Sequence, residues 1–242
     1  MASNLLLCAD DHKPAVSNEE RLAQVDQLTK KADSLMARKF YEEAIHTYQE
    51  AVALNPRDPL MRNKLGIAYQ LLPDLQSAKM EYEKARKLNP SSYEAWNNLG
   101  TVYYSLKRYP KAVKYYKKAL IINSASATAY QNLGTAYFAL DRYEEGFKAF
   151  QEAFRLDPTI LDKLSSSGTV IRTAEVNQAI QNYYIAKLYA QQGQTEKALS
   201  YLLKAIENGF NDYDKITGDP DFKSLTNDER LTRLISAKPA AN

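Results

Sequence analysis

The chain has 242 residues, with 32 Lys and Arg against 29 Asp and Glu, for a formal net charge of +3. So small a balance implies neither nucleic acid nor an anionic membrane surface as partner, and neither is expected. A single cysteine, Cys8, excludes an intrachain disulfide and a zinc site of clustered thiolates, and no apolar run is long enough to span a bilayer.

Residues 1–18 read as a disordered N-terminal arm. Its apolar run, Leu5-Leu6-Leu7-Cys8-Ala9, lacks a basic start and is shorter than a secretory core segment. Leu7 also stands where a bacterial lipoprotein cleavage site carries a small residue. The expected location is cytoplasmic, or exported to the periplasm if an upstream signal sequence has been removed.

From residue 19 to 160 a different pattern takes over. Gly66, Gly100 and Gly134 fall 34 residues apart, each preceded by leucine and followed three residues later by tyrosine (Tyr69, Tyr103, Tyr137). Ala44, Ala78 and Ala112 keep the same step, with Gly146 in the next slot. So do Tyr48, Tyr82, Tyr116 and Phe150, then Ala51, Ala85, Ala119 and Ala153. Pro56, Pro90 and Pro158 close three units, with Ser124 in the remaining position. A period of this length describes stacked helical hairpins, each burying its apolar face against its neighbours. Glycine within a helix costs about 1 kcal/mol relative to alanine, so these glycines must be repaid by close packing. Turns within hairpins are expected at Lys107-Arg108-Tyr109-Pro110 and Asp141-Arg142-Tyr143. Residues 161–178, containing Ser165-Ser166-Ser167-Gly168, read as an insertion or linker with a helix resuming near Thr173. A fifth unit follows over 179–212, with Ile185-Ala186, Tyr189, Ala198, Leu202 and Ala205 in register. Residues 213–242 form a tail and capping helices. Thr226 and Glu229 have capping-box spacing, and Leu231, Leu234 and Ile235 supply one apolar face.

The copy beginning at Tyr93, with Trp96, Leu99, Gly100, Tyr103, Ala112, Tyr116 and Ala119, resembles the tetratricopeptide repeat. Four consecutive copies (25–58, 59–92, 93–126 and 127–160) and the fifth share the resemblance, which thus covers most of the chain. The tail is similar to those that follow bacterial arrays of this kind. The resemblance implies an all-α fold, a right-handed α-solenoid of antiparallel helix pairs. It also implies that the first helix of each pair lines an inner groove that holds an extended peptide or a partner protein.

Carried onto this chain, the family's groove positions fall on Asn63, Ile67, Asn97, Asn98, Thr101, Tyr104, Gln131, Asn132, Thr135, Phe138, Tyr183 and Lys187. Asp26, Thr29, Asp33, Gln70, Glu94 and Tyr184 fall on the same set of positions. The inferred groove is amide, hydroxyl and aromatic, with few charges. Asn98 and Asn132 resemble the asparagine ladder in the repeat superhelix of O-linked N-acetylglucosamine transferase. Each amide both donates and accepts, which suits a peptide backbone, although the same amides are equally suited to bonding neighbouring helices. Asn63 stands one position away from that ladder. Co-chaperone repeat domains grip acidic tails with a clamp of basic residues and asparagines. Here Glu94 and Asn98, or Thr128 and Asn132, occupy the slots of the paired basic residues, so that reading is disfavoured.

No catalytic constellation is present. His12 lies in the arm and His46 on a second helix, and there is no H-E-x-x-H motif, phosphate-cradling glycine loop or activated cysteine. Lys107, Arg108, Lys111, Lys114, Lys117 and Lys118 cluster on and before a second helix, and read as a solvated outer face. The sequence therefore predicts a non-catalytic, monomeric interaction scaffold without cofactor or metal. An envelope assembly factor using the same groove is the alternative.

Overall fold

The computed structural model describes residues 17–161 and 175–236. Cys8, His12 and the Ser165-Ser166-Ser167-Gly168 stretch lie outside the described residues. Within them the chain forms helices and connecting turns, with no strand. Eight helices run in consecutive pairs: α1 (Asn18–Ala37) with α2 (Tyr41–Leu54), and α3 (Pro59–Leu71) with α4 (Leu75–Leu88). Next come α5 (Tyr93–Ser105) with α6 (Tyr109–Ile122), then α7 (Ala127–Phe138) with α8 (Tyr143–Leu156). A fifth pair, α9 (Glu175–Gln191) and α10 (Thr195–Glu207), is followed by a short α11 (Tyr213–Gly218), a 3-10 turn at Pro220–Phe222 and α12 (Glu229–Ser236). Each helix packs most extensively on its hairpin partner, and successive hairpins pack through α2 on α3, α4 on α5 and α6 on α7.

Local chemistry sets these boundaries. The first helices of the second, third and fourth pairs begin at side-chain caps: Asp58 accepts from Leu60 and Met61, Ser92 from Ala95, and Ser126 from Ala129. Such a cap contributes about 1 kcal/mol by satisfying amides that have no partner in the first turn. The second helices of the first four pairs all stop at an Asn or Asp: Asn55, Asn89, Asn123 and Asp157. Asn89, Asn123 and Asp157 accept side-chain bonds from the amides of Ser91, Ala125 and Thr159. Asn123 thereby makes the same turn as its counterparts without a proline after it. Inside the hairpins, Lys39, Lys107, Asp141 and Gly193 take left-handed backbone conformations, with φ between 56° and 69°. The amide after each returns to the carbonyl of a tyrosine or leucine five residues back, as in Arg108 to Tyr103 and Gln194 to Tyr189.

The glycines sit where two helices meet face to face. A Cβ built on Gly66 would lie 2.6 Å from Tyr82, on Gly100 2.5 Å from Tyr116, and on Gly134 2.5 Å from Phe150. Tyr82, Tyr116 and Phe150 are completely buried, each worth roughly 2–3 kcal/mol of removed apolar surface. That is the gain that offsets the propensity cost of glycine.

Two boundaries differ from the sequence reading. Ser17 and Asn18, assigned to the arm, belong to α1: Ser17 closes a capping box with Glu20, so the helix begins a full turn and more before the first copy of the pattern. Thr226 does not cap the last helix. Its hydroxyl donates to the carbonyl of Lys223, and the helix begins at Glu229, where Asp228 accepts from the Arg230 amide. An Asp one residue ahead of the helix competes better for its first amides than a Thr three residues ahead.

Candidate functional site

The odd-numbered helices α3, α5 and α7 touch one another as well as their hairpin partners. They therefore lie on the more crowded, inner side of the array, and one set of side chains runs across them. Asn132 on α7 donates through Nδ2 to Oδ1 of Asn97 on α5, at 3.1 Å. Asn97 reaches Asn98 Oδ1 at 3.5 Å, and Asn98 donates to Asn63 Oδ1 on α3, at 3.1 Å. The four amides form a relay across three hairpins. Its interhelical steps join residues 35 apart, so the position of Asn63, one off the ladder, is what a diagonal bond requires.

Each amide offers two donor hydrogens and two acceptor lone pairs. The three bonds of the relay use well under half of that capacity and orient the amides that make them. Asn97, Asn98 and Asn132 are partly exposed, and Asn63 is buried. Ile67 is 37% exposed beside them on α3. Thr101 is partly exposed too, accepting from the Tyr116 hydroxyl and donating to the Asn97 carbonyl. Five residues (Ile67, Asn97, Asn98, Thr101 and Asn132) thus form a preorganised, mainly amide strip on the inner side of the second to fourth hairpins.

Family models described as tetratricopeptide repeat match residues 91–159 and 182–208, and one described as TPR repeat matches 32–72. Together these span more than half of the chain. The chain belongs to the tetratricopeptide repeat family.

Solved structures agree on the fold. The chain is 17% identical to pilF of Pseudomonas aeruginosa, with 89% of each chain covered and a TM-score of 0.59. Against MamA (residues 41 to the end) from Desulfovibrio magneticus RS-1 it is 23% identical, covering 80% of this chain and 97% of that one, with a TM-score of 0.56. No curated protein sequence matches the chain.

Other tetratricopeptide groove positions are taken up by the protein itself. Phe138 is fully buried among Tyr143, Phe150 and Tyr184, because Gly146 opposite it leaves room for the ring. Tyr104 is 3% exposed and packs on Tyr109. Gln131 is buried and donates to the Ile160 carbonyl, and Thr135 donates to the Gln131 carbonyl. These four therefore serve the interior rather than a ligand pocket. In the first two repeats, Asp33 accepts from Tyr48 and Lys64, and Gln70 accepts from Tyr82. Asp26 pairs with Lys30, Glu94 accepts from Ser92, and Thr29 donates to the Val25 carbonyl.

The fifth repeat carries the clearest departure from expectation. Tyr183 and Lys187, expected to face a ligand, instead hold the chain's own tail. Asp219 accepts from the Tyr183 hydroxyl at 2.6 Å and from Lys187 Nζ at 2.7 Å. Asp221 accepts from Gln191 at 2.9 Å and lies 3.3 Å from Lys187 Nζ. Phe222 and Phe210 pack on the Tyr183 ring, the latter stacked at 4.6 Å. Burial pushes the Asp219 carboxyl up, but the bonds from Lys187 and Tyr183 outweigh it and hold the group below the usual carboxylate range. Burial likewise pushes Lys187 down, and its two aspartates outweigh that and raise it. Residues 213–242, which include Asp219-Pro220-Asp221-Phe222, read from sequence as a tail and capping helices. That its acidic turn would seek the lysine of α9 is visible only once the chain has folded back.

Among the described residues there is no cluster of three metal-ligating side chains and no helix long and apolar enough to cross a membrane. His46 is exposed on α2 beside Glu50.

Proposed function

We propose that this protein is a non-catalytic scaffold that holds an extended peptide segment of a partner protein along the inner side of its second to fourth repeats. The observation that carries this reading is the amide relay. Asn97, Asn98 and Asn132 are held in register by one another, are partly exposed, and keep unused donors and acceptors. A peptide backbone presents alternating donors and acceptors, which side-chain amides complement with little regard to sequence. Ile67 adds an apolar contact at one end, and the tail that covers α9 bounds the strip at the other. The fifth repeat is therefore outside the binding strip.

The test combines crosslinking with mutation. A photoreactive amino acid at Ile67 or Thr101 should capture a partner segment from native lysate, while one at His46, on a second helix, should not. Asn98→Ala with Asn132→Ala should weaken that capture tenfold or more, since each lost hydrogen bond is worth ~1 kcal/mol. The variant should keep its helix content. Crosslinks arising from His46 alone, or undiminished in a folded double variant, would refute the groove reading.

A further inference from the structure

The lysine-rich second helix of the third repeat, α6, borders a pocket. Between α4, α5 and α6 lies a pocket of about 460 Å³ whose wall combines aromatic rings with cations. Its aromatic side is Trp96, Tyr103 and Tyr115. Tyr115 stacks on Tyr103 with ring centroids 4.9 Å apart, and Trp96 lies 5.6 Å from Tyr115. The Trp96 indole is pinned by a 2.9 Å bond from Nε1 to the Pro90 carbonyl, so this wall is preformed. Arg86 from α4 lies over the Trp96 ring at 4.8 Å, and its Nε is buried with no protein acceptor. Lys111, Lys114 and Lys118 from α6 complete the lining, with Lys111 Nζ 5.4 Å from the Tyr103 centroid.

Among the described residues, none of these four cations forms an ion pair with a carboxylate. Glu83, one turn before Arg86, acts on Tyr115 against Arg86, but no carboxylate stands in the pocket lining beside Arg86, Lys111, Lys114 and Lys118. The positive charge is also spread out. Lys111 and Lys118 are seven residues apart on one helix, a rise of ~10 Å. An extended chain covers that distance in about three residues. Donors that served one phosphate would converge on a point, whereas these run in a line beside an aromatic wall.

We infer that this pocket is a second binding site, separate from the inner strip, for an acidic peptide segment that carries an aromatic anchor. The anchor side chain fills the space beside Trp96, Tyr103 and Tyr115, where ring faces favour offset or edge contacts. Its flanking carboxylates meet Arg86 and the lysines of α6, and Arg86 supplies the planar fork suited to a carboxylate. The site goes beyond the groove reading and stands or falls independently of it.

Trp96 is the only tryptophan of the chain, so its fluorescence reports on this pocket alone. The experiment titrates the full chain with a capped synthetic peptide, Glu-Asp-Phe-Asp-Glu, following Trp96 emission, with calorimetry in parallel. The expected result is saturable binding that weakens as salt is raised. Affinity should fall about tenfold in Lys114→Gln/Lys118→Gln, as charge-assisted bonds are lost. It should fall severalfold when the peptide's Phe is replaced by Ala. Lys114 and Lys118 are exposed, so these changes leave the core alone. Lys30→Gln/Lys148→Gln, an equal loss of charge elsewhere, should bind like wild type, as should Asn98→Ala/Asn132→Ala. Three results would overturn the inference. They are absence of binding at millimolar peptide, equal loss in both lysine pairs, and tighter binding of ATP or pyrophosphate than of the peptide. The last would reassign the pocket to a phosphorylated small molecule.

Discussion

At the scale of single residues, the repeat is governed by contact distances that leave no room for one more carbon. A methyl group on Gly100 would sit 2.5 Å from Tyr116 Cε1, and Tyr116 is fully buried with nowhere to move. Gly100→Ala is therefore expected to destabilise by about 1–3 kcal/mol despite alanine's better helix propensity, and Gly100→Leu by more. Denaturant melts would measure it, and Tyr116→Leu added to Gly100→Ala should recover part of the loss. The turn residues point the other way. Lys107 holds a φ of 56°, a conformation that disfavours side chains, and its counterpart in the fifth repeat is Gly193 at 69°. Lys107→Gly should stabilise by about 0.5–1 kcal/mol, the relief of left-handed strain less the added freedom of the unfolded chain. A higher denaturation midpoint with unchanged slope is the expected reading.

At the scale of elements, the tail and α9 form one unit. Asp219 is nearly buried and takes two of its bonds from Tyr183 and Lys187. Asp219→Asn keeps the shape but loses the charge, and is expected to cost about 1.5–3 kcal/mol of docking stability. The pH dependence has a definite sign. Because the folded Asp219 pKa is lowered, its contribution is present above the unfolded value of about 3.9 and is lost as pH falls through the folded value. Because the folded Lys187 pKa is raised, its contribution is present below about 10.4 and is lost as pH rises through the folded value. Hydrogen exchange across residues 213–236 should accordingly be slowest, after correction for intrinsic rates, on a plateau between those limits. In Asp219→Asn the acid-side loosening should be much reduced.

For the whole molecule, stability is a sum over hairpins and the contacts between neighbours, so the two ends need not be equal. At the C-terminal end, α9 and α10 share a continuous core with Phe210, Ile216, Phe222, Leu225 and Leu231. At the other end α1 buries only Val25 and Ala32 along twenty residues, and Leu22 stands 55% exposed. Native-state hydrogen exchange should therefore open α1 first, at a free energy well below that of α5 to α10. Uniform protection from α1 to α10 would contradict this account.

The repeat and the pairing of its helices were legible in the amino-acid order alone. Gly100 and Tyr116, and the prolines that close the units, follow local rules, restated every 34 residues, that need no knowledge of the fold. The amino-acid order also named Asn98 and Asn132 as notable. Tertiary structure decided what those residues do. Whether a side chain on a first helix faces a ligand or its own neighbour depends on the rotation between successive hairpins, which no single repeat encodes. That rotation placed Asn63 within reach of Asn98 and Arg86 over Trp96, at a pocket that lysines of α6 also line. The tail's return to Lys187 is a contact across 32 residues, set by burial and charge once the chain has closed on itself.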